Sequence, residues 1–555
     1  MRTRESALPG PMSDDFANLT PGVGLRDRTG AWSKLWPWSV IVIIAVAYLA
    51  HLSPGHDFVN DDFAAYVMHA ANLVQGRTYT NIDYIPNPKA LWLGPSNGYP
   101  PIYPLILAPV YKMFGLNLKS LKVVTVLCFV VFLVLFEILS RPMLSPFLRI
   151  CALLILAFNP IFWNQRDYIL SEFPYLMFSF GALLVIQRTC KNLTPENLKI
   201  GAAVLLSVLL YCSYGTRTIG IALLAAVVLA DLLKFGRPSR FMMIVAAGAI
   251  ALILAQTVLI TSPTGYISAV RFSPRMMFGN AMFYAKTLSY VWQNGFSKAV
   301  QIVFALIFTT FAAVGFARNL WNERSAQEFY LLGYVGILIA WSAEIGLRGL
   351  LPVVPLYLVY GFEQIERVVT PLGSLARWSI AASLLIFCGA TYAGEFRKEA
   401  RQPAEANVYD AAAQELFSFL RVHTQPSEIL IFPKPRSLAL FTGRPVASFG
   451  PGESPEDSAN FMRSIHSTIL VSPDWGPPSW ASFLAAYKGQ LHEVFHNSEY
   501  QVFRVDWAAP DQVGSNSKHG GTLPTEERRT SERGIAARAE LERTGVFESL
   551  WRSLL

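Results

Sequence analysis

Long apolar runs alternate with short polar links along most of the chain, the pattern of a polytopic helical membrane protein. The runs predict spans at about 36–53, 121–140, 148–164, 172–188, 199–214, 218–234, 241–262, 298–317, 327–345, 349–364 and 374–394. Several are shorter than the roughly 20 residues a straight crossing prefers. The segment 102–115 (IYPLILAPVYKMFG) is also apolar. Its two prolines and one-leaflet length predict a juxtamembrane or re-entrant segment. Residues 1–35 are polar and read as a disordered cytoplasmic tail.

Beyond residue 400 the period changes. Residues 405–422 carry helical apolar spacing, and EILIF (428–432), SLALFTG (437–443), STILVSP (467–473) and YQVFRV (500–505) read as short strands. PRSLALFTGRP equally fits a short helix followed by a turn. Together, 400–510 predicts a small α/β domain. Residues 511–555 are polar and read as disordered, with amphipathic helical spacing over 533–553. No internal repeat marks the inverted-repeat transporter plan.

Composition narrows the class. Of 555 residues, 53% are hydrophobic and only 15% charged, against about 25% charged in a soluble domain. That excludes a disordered protein, a coiled coil and an ordinary soluble enzyme. A net charge of +8 would suggest nucleic acid as a partner, but the basic residues lie in links between spans, so topology explains them. With the N-terminus inside, alternate links hold Arg141 and Arg149; Arg188, Lys191 and Lys199; Lys234, Arg237 and Arg240; Arg318 and Arg324; Arg367 and Arg377. The short outer links hold only Arg166, Arg217 and Arg348, apart from the longer 263–297 loop. This is the positive-inside pattern. The expected fold is an all-α polytopic membrane protein of about eleven transmembrane helices, with a first outer loop at 54–120 and the small C-terminal α/β domain on the same outer face. The five cysteines form no CxxC pair, so no disulfide framework or zinc site is indicated.

Polar residues on the outer face carry the candidate chemistry. In FVNDDFAAYVMHAANLVQGRTYTN (58–81), Asn60 is placed to cap a helix beginning at Asp61, and Gly76 to end it. Asp61 and His69 share one face; Asp62, Tyr66 and His69 form an adjoining stripe. Adjacent carboxylates at a helix start commonly just complement its dipole. At a membrane surface, directly after the first span, they are also a candidate general base. Tyr99 and Tyr103 flank Pro100 and Pro101, as interfacial anchors or as a platform for a sugar ring or lipid chain. Glu172 opens an apolar span, where a carboxylate needs a partner or a cavity. Arg166 precedes it beside Asp167, a surface pair on the simpler view. Arg217 and Arg348 stand alone at outer helix ends, where arginine suits phosphate. The simpler roles are snorkelling for Arg217 and pairing with Glu344 for Arg348. No Walker loop, dinucleotide fingerprint or HExxH is present, so a cytoplasmic nucleotide-sugar donor is not expected.

DDFAAYVMHAANLVQG, GYPPIYPLILAPVYKMFG, RDYILSEFPY, TRTIG and LRGLLPVVPLY occur in that order. On these motifs residues 36–395 resemble the GT-C superfamily of membrane glycosyltransferases, nearest the bacterial relatives of dolichyl-phosphate-mannose–protein mannosyltransferases and the lipid A aminoarabinose transferases. The resemblance implies a polyprenyl-phosphate sugar donor and a lipid, glycan or protein acceptor. It also implies transfer on the periplasmic face of a bacterial inner membrane. It implies Asp61 as base beside Asp62, Glu172 as the acidic residue opening a later span, and Arg217, Arg348 and Arg166 near the donor phosphate. Aminoarabinose transferases carry Glu-Lys-Pro where this chain has Gly98-Tyr99-Pro100-Pro101, which argues against aminoarabinose. Direct displacement would invert the anomeric centre. No cofactor is required, although two aspartates leave room for a divalent metal bridging Asp61 to phosphate. The competing expectations are a flippase for a lipid-linked sugar and a non-enzymatic membrane scaffold.

Overall fold

The computed structural model describes residues 31–58, 60–93, 98–190, 199–260, 270–293, 297–342, 345–401 and 406–507. The tails predicted at 1–35 and 511–555 lie outside these residues, except for the start of the first helix.

Every predicted apolar segment forms helix. In chain order the helices of this part, which include α2 and α11 within the expected outer loops, are α1 (Ala31–Ala50), α2 (Asp62–Gln75), α3 (Ile102–Phe114), α4 (Leu118–Ser140), α5 (Pro146–Phe158), α6 (Pro160–Asn164), α7 (Glu172–Cys190), α8 (Ile200–Thr216), α9 (Ile221–Phe235) and α10 (Arg240–Leu259). There follow α11 (Pro274–Leu288), α12 (Lys298–Asn322), α13 (Ala326–Ile339), α14 (Leu347–Leu350), α15 (Val353–Val369) and α16 (Ser374–Glu399). Among the described residues five helices are long and apolar enough to cross a membrane, or six if α5 and α6 count as one bent span. The 53° bend falls at Asn159–Pro160, where proline removes a ladder donor and the Asn159 side chain caps the new helix. Along α10 only 17% of the apolar window is buried, and Val258 and Leu259 are 77% and 81% exposed. So apolar a face, uncovered by protein, is a lipid-facing surface, and the chain is a membrane protein.

Helix contacts are tight where small residues allow it. A Cβ on Gly315 of α12 would collide with the Tyr360 carbonyl of α15, so the two helices meet backbone to backbone. The amphipathic α3 spans 13 residues, about 20 Å, short of a roughly 30 Å hydrocarbon core. It packs between α2 and α4.

The C-terminal part contains α17 (Ala411–His423), α18 (Pro435–Thr442), α19 (Pro455–Ser464) and α20 (Pro478–Ala486) around one sheet. The strands are β1 (Tyr84–Ile85), β2 (Leu430–Ile431), β3 (Val446–Ala447), β4 (Ile469–Pro473), β5 (Leu491–His496) and β6 (Tyr500–Val505), in the order β1-β3-β2-β4-β6-β5. Residues 437–443 are the helix alternative, α18, closed by Gly443 in the left-handed conformation. Strand β1 comes from the first outer loop and pairs parallel to β3, at Tyr84 with Val446 and Ile85 with Ala447. The loop is thus built into the C-terminal sheet.

A second tie reinforces the first. Phe58 is 2% exposed and its ring lies 5.7–6.4 Å from those of Trp475, Phe432, Phe417 and Tyr500. Phe58→Ala is expected to destabilise this junction by about 3–5 kcal/mol. Limited proteolysis checks it, with faster cleavage between 400 and 410 expected; an unchanged rate counts against the tie.

Candidate active site

Helix α2 begins one residue later than its sequence suggests. Asp61, not Asn60, occupies the cap position, and its side chain caps nothing in its own helix. It turns instead to the N-terminus of α18. Asp61 Oδ1 accepts from the Ser437 backbone N–H (2.7 Å) and hydroxyl (2.6 Å), and Oδ2 accepts from the Arg436 N–H (3.1 Å). A carboxylate suits a helix N-terminus, where backbone donors and the dipole both favour negative charge. The Asp61 side chain is only 9% exposed.

Asp62 faces a different group. Its Oδ1 accepts from the Tyr99 hydroxyl at 2.7 Å and its Oδ2 from Arg348 Nη1 at 3.3 Å. Arg436 Nη1 lies 3.8 Å from Oδ1 and 3.6 Å from Asp61 Oδ2. Burial alone would raise the Asp62 pKa. The Arg348 and Arg436 guanidiniums and the Tyr99 hydrogen bond outweigh it and hold the carboxyl below its ordinary value. Asp62 keeps 31% of its side chain exposed.

Arg348 joins this pair to the bundle. Its Nε donates to Glu172 Oε1 at 2.8 Å, and Arg217 Nη1 donates to the same oxygen at 2.5 Å. The end of α8, the start of α7, the short α14 and the start of α2 therefore meet at one end of the bundle. Three carboxylates and three guanidiniums make up the cluster, so its formal charges cancel. The expected partner of Arg348, Glu344, lies outside the described residues.

No family model and no curated protein matches the chain. Solved structures do. ArnT from Cupriavidus metallidurans, in its structure bound to undecaprenyl phosphate, aligns at a TM-score of 0.56 and 11% identity, over 84% of this chain and 97% of that one. The oligosaccharyltransferase AglB from Archaeoglobus fulgidus, in complex with an inhibitory peptide and a dolichol-phosphate, aligns at 0.52 and 13%, over 87% of this chain and 76% of that one. Both are GT-C superfamily members. The chain has the GT-C fold. At these identities the likeness is one of fold alone.

Within the GT-C fold, the sequence-derived residues separate into four groups. Asp61, Asp62, Glu172, Arg217 and Arg348 come together. Arg166 does not join them: it donates to the carbonyls of His51 (3.1 Å) and Trp163 (2.8 Å), pairs with Asp167 and stacks over the Trp163 ring. Asp167 in turn holds the fully buried Lys122, so the Arg166 region is a structural clasp. The tyrosines form the wall behind Asp62. Tyr66 packs edge-on against Tyr99 and Tyr103 with centroids 5.1 and 5.0 Å away. Tyr66 donates to Ser171, and Tyr103 shares a hydrogen bond with Thr125. Tyr99 is 8% exposed and Tyr103 fully buried, so neither is an interfacial anchor or an open platform.

His69 is buried behind this wall, stacked on Tyr79. Its Nδ1 lies 2.7 Å from the Tyr79 carbonyl, which assigns the proton to that nitrogen. Nε2 is buried without a hydrogen-bond partner among the described residues. Burial, with a smaller push from Arg436, lowers its pKa from 6.5 to about 4, against the Tyr79 carbonyl. His56, stacked on Phe63, is lowered by burial to about 4 as well, against Asp57. Each folded pKa lies below the unfolded one. The stabilisation is therefore complete above pH 6.5 and lost as pH falls toward 4, by roughly 3 kcal/mol per imidazole. Thermal unfolding in detergent should show a pH-independent midpoint above 6.5 and a steep fall below it. His69→Asn should remove about half of that slope; an unchanged slope counts against the assignment.

A divalent metal at Asp61 does not fit. The carboxylate is ringed by N–H and O–H donors and by Arg436, where a cation would meet positive charge. Among the described residues no three His, Cys, Asp or Glu side chains gather as a metal site.

Sequence reasoning missed Arg436, Ser437 and Tyr84, more than 370 residues from Asp61 in the first two cases. The guanidinium of Arg436 lies 4.6 Å over the Tyr84 ring and 5.4 Å over Tyr99. The available signal was PRSLALFTG read as a helix, whose N-terminus would attract a carboxylate.

Proposed function

We propose that the chain is a membrane glycosyltransferase moving a sugar from a polyprenyl-phosphate donor to an acceptor hydroxyl at the outer, periplasmic face of a bacterial inner membrane. The carrying observation is the acidic pair at the start of α2, linked through Arg348 to Glu172 and Arg217 at one end of the bundle. Lipid phosphates bound in the two GT-C neighbours support the donor class. The acceptor is a lipid, glycan or protein hydroxyl, and α18 of the C-terminal part borders the acidic pair where it would enter.

The base is Asp62 in this reading, in place of the Asp61 expected from sequence. Asp61 accepts three hydrogen bonds and is 9% exposed, whereas Asp62 accepts two and is the more open carboxylate at 31%. The acceptor oxygen attacks the anomeric carbon, and its proton passes to Asp62. The bond from that carbon to the phosphate oxygen breaks, and its electron pair leaves with the polyprenyl phosphate. That leaving group is a stable anion and needs no general acid. Guanidinium charge stabilises it, and a single displacement inverts the anomeric centre.

Membranes holding the protein are supplied with radiolabelled polyprenyl-phosphate sugars, and release of label from the lipid is followed. Release by wild type and not by Asp62→Asn is expected. Label crossing the bilayer still attached to its lipid would replace this reading with a flippase.

A further inference from the structure

The C-terminal domain does more than sit beside the cluster. It places a charged side chain within it. Arg436 lies in the first turn of α18, and its position is fixed three ways. Its backbone N–H is held by Asp61, the neighbouring Ser437 N–H and hydroxyl are held by the same carboxylate, and its guanidinium lies over the rings of Tyr84 and Tyr99. Tyr84 is itself fixed by the β1–β3 pairing. A long side chain held this way loses little freedom when it takes a ligand.

Two guanidiniums from distant parts of the chain flank the carboxylate of Asp62, one per oxygen. Arg348 Nη1 lies 3.3 Å from Oδ2, and Arg436 Nη1 lies 3.8 Å from Oδ1. Asp61 and Glu172 are tied down and buried, with 9% and 2% of their side chains exposed, against 31% for Asp62. Of the three anions, Asp62 is the one an incoming anion can replace. The planar forks of two arginines match a phosphate group better than a single carboxylate.

We propose that Arg436, carried in by the C-terminal domain, acts with Arg348 to bind the donor phosphate in the place the Asp62 carboxylate now holds. This rests on the polyprenyl-phosphate reading above. The donor phosphate then displaces the Asp62 carboxylate from both guanidiniums and leaves it free to take the acceptor proton. The order is donor first, acceptor second, and Asp61 is a positioning residue that anchors α18.

The test titrates undecaprenyl phosphate onto the purified full-length protein in detergent, read by intrinsic tryptophan fluorescence. Arg436→Ala is expected to weaken binding at least tenfold. Arg436→Lys keeps a cation over the tyrosine rings but loses the fork, and should weaken binding several-fold. Asp62→Asn, inactive in transfer, should bind as tightly as wild type or more tightly, because the competing anion is gone; a merely structural carboxylate would not behave so. Undecaprenol and inorganic phosphate, each alone, should not compete at equal concentration. The proposal is overturned if Arg436→Ala binds like wild type. It is also overturned if Asp62→Asn loses binding, or if inorganic phosphate competes as well as the lipid. Should Arg436→Ala fail to fold, Arg436→Lys and Asp62→Asn decide. Absence of binding by wild type would instead overturn the donor reading itself.

Discussion

Transfer by Asp62→Asn is expected to fall about 10²- to 10⁴-fold, the usual contribution of a positioned general base. The substitution is nearly isosteric and keeps one oxygen for the Tyr99 hydroxyl, so folding should survive it. It removes the proton acceptor and one negative charge, and at 31% side-chain exposure the lost charge costs less than it would at Glu172, which is 2% exposed. Asp61→Asn makes the informative contrast. There the amide would set its NH2 against the donors of Ser437 or the N–H of Arg436, whichever way it turns, costing about 1–3 kcal/mol. Its main effect should be a lower unfolding temperature, with a smaller loss of transfer through displaced Arg436. The reverse pattern, Asp61→Asn dead and stable while Asp62→Asn transfers normally, would return the base role to Asp61. The pH profile adds an independent check. Arg348 and Arg436 hold the Asp62 carboxyl below its ordinary value near 3.8, against the effect of burial. In the free enzyme the group stays ionised above that value, so its own acid limb in kcat/KM lies below pH 4. A loss of activity setting in nearer pH 6, with binding intact, would point to another base.

Local patterns gave up most of the membrane part of this structure. Each predicted apolar segment is a helix because a single apolar run in lipid can satisfy its backbone within itself only as a helix. The membrane-end placement of Glu172, Arg217 and Arg348 followed from the same alternation, since parity of spans sends all three to one side. Gly76 was legible as a helix stop because only a left-handed cap suits that turn, and it has φ 65°. What the sequence could not disclose is pairing across long separations. Nothing local to Tyr84–Ile85 says that it joins β3 some 360 residues later, and a two-residue strand has no period to detect. Arg436 was invisible for that reason, and Arg166 lies apart from the cluster because sidedness says which face a residue is on but not which neighbours it meets. Asp61 and Asp62 are adjacent and chemically identical. Only the helix N-terminus docked on the first of them sets their surroundings apart.

Glu172→Gln should have the largest effect on stability. Glu172 is 1% exposed, and both Arg217 and Arg348 donate to its Oε1. The substitution turns a cluster of three anions and three cations into one carrying an uncompensated positive charge, with Arg217 only 17% exposed and unable to reach water freely. Removing one partner of a buried pair in this way costs about 3–5 kcal/mol, much more than the pair itself is worth. Unfolding in a denaturing detergent gradient should register it as a large shift, and transfer should fall as well, because Arg348 loses the contact that aims it at Asp62. The double variant Glu172→Gln with Arg217→Gln separates the two effects. It removes one charge of each sign, so most of the stability should return. Transfer should not return with it, since Arg348 still lacks its charged anchor. Recovery of both together would mean that Glu172 balances charge only and does not orient the arginine beside the base.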